Sequence, residues 1–351
     1  MAEKRKNRVG IKDVAQVAGV STTSVSDALS GKGRISTETR RHIVKVATEL
    51  GYRPNATARN LVSGRTGLLG ITVSASDEVP FGVGDFDYFI QLLSAATGAA
   101  VASGHALVVQ GATANGATAF DQVEIDGAIV VDPVDDDPLL DSLDEMGIPI
   151  VTAGRRAGEE EKGTTRYWID NDHHKATMAI LNHLSESGAN KIGLVSSPPI
   201  ASYTRDAVES YEEWCNAHQQ NPEIVFAEGP INEGSGFQAA GKLLDSPDPP
   251  DAIYATLDQL ALGALLAARE RSIDVPGDLL VAGCTDSEAS AWATPPLTAV
   301  LLNPEEIGRA AVNTLICLIE GGSPETNPVL IPAGILPRES TSRIGQSAPP
   351  P

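Results

Sequence analysis

From Leu68 onward the chain alternates short apolar runs with helical stretches, and this alternation restricts its fold more than any other feature. Apolar runs at 68–73, 106–110, 127–131, 149–152, 191–196, 224–227, 252–256, 279–283 and 298–302 read as strands. Helical spacing occupies 89–102, 175–187, 236–244 and 260–271 between them. Strands alternating with helices predict parallel, doubly wound sheets, because a parallel crossover needs a long connection that packs on a sheet face. The alternation is long enough for two such sheets, and a cleft between two α/β lobes is a usual ligand site.

The 351 residues exceed one ordinary core, so two to three domains are expected. No stretch approaches the roughly 18 uninterrupted apolar residues of a membrane helix. The start, MAEKRKNRVG, is charged with no apolar run after it, which does not read as a secretory signal. Cys215, Cys284 and Cys317 lie far apart and form neither a metal spacing nor a disulfide framework, which fits a reducing, cytoplasmic setting.

A net charge of −20 argues by itself against nucleic acid, but the charge is segregated. Residues 1–65 carry 13 Lys and Arg against 5 Asp and Glu; the remainder carries 13 against 41. A small basic head on a large acidic body is the pattern of a nucleic-acid-binding module joined to something else. Within the head, Ile11, Val14, Ala15 and Ala18 form one helical stripe, and Gly19 supplies a tight turn. Ser21 suits the cap of a second helix that buries Val25, Ala28 and Leu29, and the Gly31-Lys32-Gly33 stretch ends it. Ser36 caps a third, with Ile43, Val44, Ala47 and Leu50 as its apolar side. Three short helices in a basic segment, the first two joined by a tight turn, predict a helix-turn-helix; a protein-binding three-helix bundle is the alternative. The second helix would present Thr22, Thr23, Ser26 and Asp27 to base edges, while Arg5, Lys12 and Lys32 hold phosphates. Asn55 then suits the cap of a short helix over 56–63, too short to be stable by itself.

These residues carry a resemblance. The spacings AxxAGVSxxxVSxxL and ELGYxPNxxAxxL resemble the lactose/purine-repressor family of bacterial regulators, and the likeness runs to about Arg343. The resemblance implies a helix-turn-helix head at 1–53, a hinge helix and linker at 54–66, and a two-lobed, periplasmic-binding-protein-like body at 67–343. One lobe would comprise about 67–167 and 300–328, the other about 168–299 and 329–343; the tail 344–351 reads as low-complexity and disordered. Hinge helices of a homodimer would pair in the minor groove of a pseudo-palindromic double-stranded operator, with Leu61 as the wedge between base pairs and Asn55, Ala58 and Tyr52 beside it. The family usually has Arg where this chain has Asp27. Guanine is the partner of Arg, whereas a carboxylate favours a cytosine amino group, so the operator sequence does not carry over.

The resemblance also implies a small-molecule effector between the lobes, a sugar or related metabolite. Here the chain departs: the Arg, Asn and Asp of the family's sugar binders correspond to Ala207, Leu257 and Thr285, and a stacking aromatic corresponds to Ile231. Asp170, Asn171, Arg205, Asp258, Thr285 and Asp286 are the expected effector contacts, with Asp172, Tyr203, Phe86 and Trp292 nearby or in the core. Gly236–Lys242 falls short of a phosphate loop because Leu243 follows Lys242. His173-His174 beside Asp170 and Asp172 lacks an i, i+4 partner for a metal, and the run Asp135-Asp136-Asp137 reads as a solvated loop. With no nucleophile paired to a base, neither an enzyme nor a cofactor is expected. A ligand-released repressor leads; a corepressor- or partner-dependent global regulator is the alternative, and a solute-binding protein the third reading.

Overall fold

The computed structural model describes residues 9–30, 35–52, 65–74, 86–111, 120, 123–156 and 166–343. The expected hinge helix at 56–63, with Asn55, Ala58 and Leu61, lies outside these residues, as do Arg5, Lys32, the tail 344–351 and the side chain of Phe86. The chain divides after Gly67 into two compact units.

The smaller unit holds α1 (Ile11–Ala18), α2 (Thr22–Ser30) and α3 (Thr37–Glu49). The left-handed φ of +68° at Gly19 reverses the chain after α1, a conformation that a side chain would strain. Ser21 and Ser36 cap the next two helices: Ser21 Oγ accepts from the Ser24 N–H at 3.0 Å, and Ser36 Oγ from the Thr39 N–H at 3.1 Å. Val14, Ala15, Ala18, Val25, Ala28, Ile43, Val46 and Ala47 close the core. The expected apolar side of α3 needs one correction. Val46, not Val44, is buried, because i+3 from Ile43 stays on its face while i+1 turns about 100° away.

The larger unit contains two sheets. The first is ordered β11-β5-β4-β3-β1-β2 and entirely parallel: β1 (Leu68–Val73), β2 (Ala106–Gly111), β3 (Gly127–Val131), β4 (Ile150–Ala153), β5 (Tyr167–Asn171) and β11 (Val329–Ile331). The second is ordered β12-β10-β9-β8-β6-β7: β6 (Ile192–Ser196), β7 (Ile224–Phe226), β8 (Ala252–Ala255), β9 (Leu280–Cys284), β10 (Thr298–Leu301) and β12 (Gly334–Leu336). Its edge strand β12 runs antiparallel to β10. Helices α4 (Phe86–Ala102), α5 (Pro138–Glu145) and α11 (Pro304–Ile319) pack with the first sheet. Helices α6 (His173–Glu186), α7 (Ser202–Ala217), α8 (Glu233–Leu244) and α9 (Asp258–Glu270) pack with the second; α10 (Glu288–Trp292) follows β9. Gly308 lets α11 meet α4 closely, since a Cβ there would lie 2.3 Å from the Leu92 carbonyl oxygen. No helix among the described residues is long and apolar enough to cross a membrane.

Two expected lobe boundaries move. The strand Tyr167–Asn171 belongs to the first sheet, so the first crossover follows Asn171 instead of residue 167. Val329–Ile331 pairs with β5, so the last crossover follows Ile331 instead of residue 328. Both strands are short, and Val329–Ile331 pairs with a strand more than 150 residues earlier in sequence, so local pattern does not reveal that pairing. The three crossovers tie together: Asn171 Oδ1 accepts from the Asn303 N–H at 3.1 Å, the Asn303 amide donates to the Pro332 carbonyl, and the Asp172 N–H donates to Ile331 at 3.0 Å.

Candidate functional site

The head brings its expected contacts together on one side of α2. Val25 and Ala28 turn inward, while Thr22, Thr23 and Ser26 are exposed and Asp27 is half-buried. Four short polar side chains thus share the side of α2 away from buried Val25 and Ala28. Lys12 is exposed on α1, where it can meet a phosphate. The hydroxyl of Ser21 is committed to the start of α2, and the half-buried Tyr52 packs against the head's core. Both act on α2 through the fold of the head.

In the body, a small cavity of about 30 Å³ opens at the carboxyl ends of the strands of both sheets. Open α/β sheets bind ligands there because strand ends and helix N-termini converge. Asp132 follows β3, Asp170 stands near the end of β5 and Thr256 follows β8. Cys284 ends β9, Thr285 follows it, and Leu302 follows β10. Tyr88, His173, Tyr203 and Leu257 complete the lining.

Of the six expected effector residues, Asp170 and Thr285 line this cavity. Asp170 is 5% exposed, and its carboxylate is heavily used. One oxygen accepts from the Arg155 N–H at 3.0 Å and the Ser202 hydroxyl at 3.4 Å. The other accepts from the Asn171 N–H at 2.8 Å and faces His173 Nε2 at 3.1 Å. Burial alone would push the His173 imidazole down, but the carboxylates of Asp170, Asp206 and Asp132 outweigh it and its pKa is raised. Thr285 holds a φ of +72°, an uncommon conformation for a β-branched residue and one found at binding sites.

The other four have different surroundings. Asn171 joins the crossovers, its amide donating to Tyr88 Oη at 3.1 Å. Arg205 donates to Asp135 at 2.6 Å, and Asp286 accepts from Arg338 at 2.7 Å. Asp258 opens α9 beside the cavity-lining Leu257 and is 3% exposed. Burial raises its pKa and Asp87 adds to the rise, against hydrogen bonds from Ser287 and the Gln259 N–H. Ala207 is buried, Ile231 packs into the core of the second sheet, and Trp292 is 85% exposed.

The acidic run is corrected. Asp137 is 2% exposed and caps α5, accepting from the Leu139 N–H at 3.0 Å and from the Ser74 hydroxyl, whereas Asp136 stays in solvent. Pro138 is the first residue of that helix, where its missing N–H is harmless. Of the two adjacent histidines, His173 turns to Asp170, and His174 lies 2.9 Å from the Ser210 hydroxyl. Sequence reasoning missed Tyr88, Asp132, His173, Thr256, Cys284 and Leu302 as cavity lining. The available signal was position, since most follow or end a strand.

Comparison with known proteins agrees with this architecture. Residues 10–55 match the bacterial regulatory proteins of the lacI family, and residues 181–341 match a periplasmic binding protein-like domain. The chain is 29% identical over 345 residues to the HTH-type transcriptional regulator CelR of Thermobifida fusca, covering 96% of this chain and 99% of that one. It is 29% identical over 343 residues to the HTH-type transcriptional repressor PurR of Escherichia coli O139:H28, covering 95% and 96%. A crystal structure of the Lac repressor dimer bound to operator and the anti-inducer ONPF superimposes with a TM-score of 0.76 at 25% identity, covering 95% of this chain and 99% of that one. The chain resembles the lacI family of bacterial regulatory proteins in its head and along nearly its whole length in these relatives. It is a DNA-binding transcriptional regulator with a ligand-binding body, and its named relatives are regulators, not enzymes.

Proposed function

We propose that this chain is a cytoplasmic repressor that binds a pseudo-palindromic operator as a homodimer and is controlled by a small molecule in the cavity between the two sheets. The exposed Thr22, Thr23 and Ser26 on α2, opposite the buried Val25 and Ala28, are the observation that carries this reading. A two-fold protein reads two-fold DNA, so one reading helix per chain calls for paired half-sites. Residues 1–53 serve as the head and 54–66 as hinge and linker, with Leu61 inserted between base pairs and Asn55, Ala58, Arg5 and Lys32 on the duplex. The body holds the hinges in the paired state or the separated one. A ligand that prefers one state shifts operator affinity by its difference in affinity for the two.

The test is a mobility-shift titration of the full chain on DNA selected from a random pool, with and without candidate ligands. The reading expects a two-fold consensus, binding by dimers and a ligand that weakens the complex. Leu61→Ala should weaken operator binding and reduce the bend while sparing random DNA. Tight binding of a monomer to one half-site would sink the proposal, and a ligand that tightens the complex would replace release by corepression.

A further inference from the structure

We propose that the body is clasped shut by two reciprocal ion pairs, Arg155 with Asp206 and Arg205 with Asp135, and that a ligand reaches the cavity between the sheets only when this clasp opens. The inference rests on reading that cavity as the effector site and adds what controls access to it.

Size makes opening necessary. The cavity of about 30 Å³ has room for about one water molecule. Pockets that hold small molecules run to about 300–1,000 Å³. Its walls come from both halves of the body: Tyr88, Asp132 and Asp170 stand with the first sheet, and Tyr203, Thr256 and Cys284 with the second. The chain passes between the halves near Asn171, Asn303 and Ile331, and these crossovers are tied to one another. Two halves joined by a few short segments can rotate about them while each stays rigid.

Away from the crossovers, the first turn of α7 holds the halves together. Arg205 donates to Asp135, which follows β3, at 2.6 Å. The next residue, Asp206, accepts from Arg155, which follows β4. A cation and an anion from α7 thus each meet the opposite charge on the other half. The order fixes the register, because a shift that brought Arg205 to Arg155 would set like charges together. An antiparallel bridge between Val134 and Ala201 and a 3.4 Å hydrogen bond from the Ser202 hydroxyl to Asp170 add two further contacts between the halves. The clasp adjoins the cavity: Asp135 lies close in sequence to the lining Asp132 and Arg205 to the lining Tyr203, and the Arg155 N–H donates to the lining Asp170 at 3.0 Å.

The strength of the clasp suits a gate. Its side chains are 26% and 19% exposed in one pair and 31% and 46% in the other. Such partly solvated pairs are each worth a factor of about 1.4–5. Together they favour the closed state by about 2–25-fold, a bias that the binding of one ligand can overcome.

Cys284 is a built-in reporter. It lines the cavity and is 7% exposed, so a thiol reagent reaches it at a rate set by the open fraction. Cys215, fully buried in the core of the second sheet and outside the lining, reports unfolding instead. Pulsed labelling of the full chain with methyl methanethiosulfonate, read by mass spectrometry of the two peptides, measures both rates. The double variant Asp135→Asn, Asp206→Asn should raise the Cys284 rate about 2–25-fold and leave the Cys215 rate unchanged. Asp135→Arg should also raise it, and adding Arg205→Asp should return it toward wild type, since the exchange restores both the pair and the net charge. Should these variants fail to fold, the wild-type chain gives the second reading: the Cys284 rate must rise between low and high salt while the Cys215 rate does not. A Cys284 rate that ignores the substitutions and the salt, that rises only in step with Cys215, or that the charge exchange does not restore overturns the proposal. Mobility shift separates this inference from the effector reading. Clasp variants that speed Cys284 labelling without moving operator affinity or its response to any ligand leave the clasp standing and refute the effector role. A ligand that moves operator affinity in a chain whose Cys284 rate ignores the clasp does the reverse.

Discussion

The exposed face of α2 and the cavity between the sheets both present short polar side chains, yet they hold them in opposite ways. On α2, Thr22, Thr23 and Ser26 are exposed to solvent. In the cavity, Asp170 is buried and accepts hydrogen bonds from residues on either side of the first crossover. On the proposed function, the head separates recognition from stability, whereas the body joins them. Substitutions should therefore divide the head from the body by which property they change.

The largest effect is expected at Asp170. Its loss strands His173, two backbone N–H groups and the Ser202 hydroxyl in a buried place. Asp170→Ala should destabilise the body by about 3–5 kcal/mol, as for one buried partner removed from a pair, and urea denaturation would measure it. A shift below 1 kcal/mol would make Asp170 an ordinary surface carboxylate and break the comparison.

On α2 the effect should fall on binding alone. The double variant Thr23→Ala, Ser26→Ala should lower affinity for the selected operator about tenfold, within the about 1–3 kcal/mol of base discrimination. Stability should stay within about 0.5 kcal/mol. Random-pool selection with Asp27→Arg sharpens the point: the consensus should change more than the affinity for random DNA, and an unchanged consensus would place Asp27 away from the bases.

A smaller effect is expected at the pair Arg205 and Asp135, whose side chains are 31% and 46% exposed. A double-mutant cycle should return a coupling of only about 0.2–1 kcal/mol, because water screens such a pair. A much larger coupling would show that this contact is integral to the body's core.

The gentlest effect is a slope with pH. The raised pKa of His173 means that the folded protein holds its proton more tightly than the unfolded chain does. That stabilisation is complete below the unfolded histidine value of about 6.5 and fades as pH rises through the higher folded value. Urea titrations across this window should show stability falling with pH in the wild type and a flatter profile for His173→Gln. Matching profiles would remove His173 from the electrostatics of the cavity.

Much of the fold was legible because period and composition report local structure. The stripe Ile11, Val14, Ala15 and Ala18, the caps Ser21 and Ser36, and the core strands of both sheets follow from spacing that needs no tertiary knowledge. The cavity was less legible. Arg205 and Asp286 have the chemistry of ligand contacts, but Asp135 and Arg338 engage them. Nothing local announces those partners, which lie 70 and 52 residues away. Asp132 and Tyr88 went unnoticed for the converse reason: each is unremarkable until the sheets bring strand ends and α4 to one cavity.

The sequence by itself determined the segregation of charge, the helix-turn-helix head and the alternation that makes two parallel sheets, because each depends on residues close along the chain. Tertiary structure alone decided that β5 and β11 close the first sheet, that Asp137 is a buried cap and that Asp170 meets His173 at the floor of a cavity. Those outcomes depend on pairings between distant segments and on which polar groups lose water together. A carboxylate's role is set by the partners that replace its hydration, and only the folded chain supplies them.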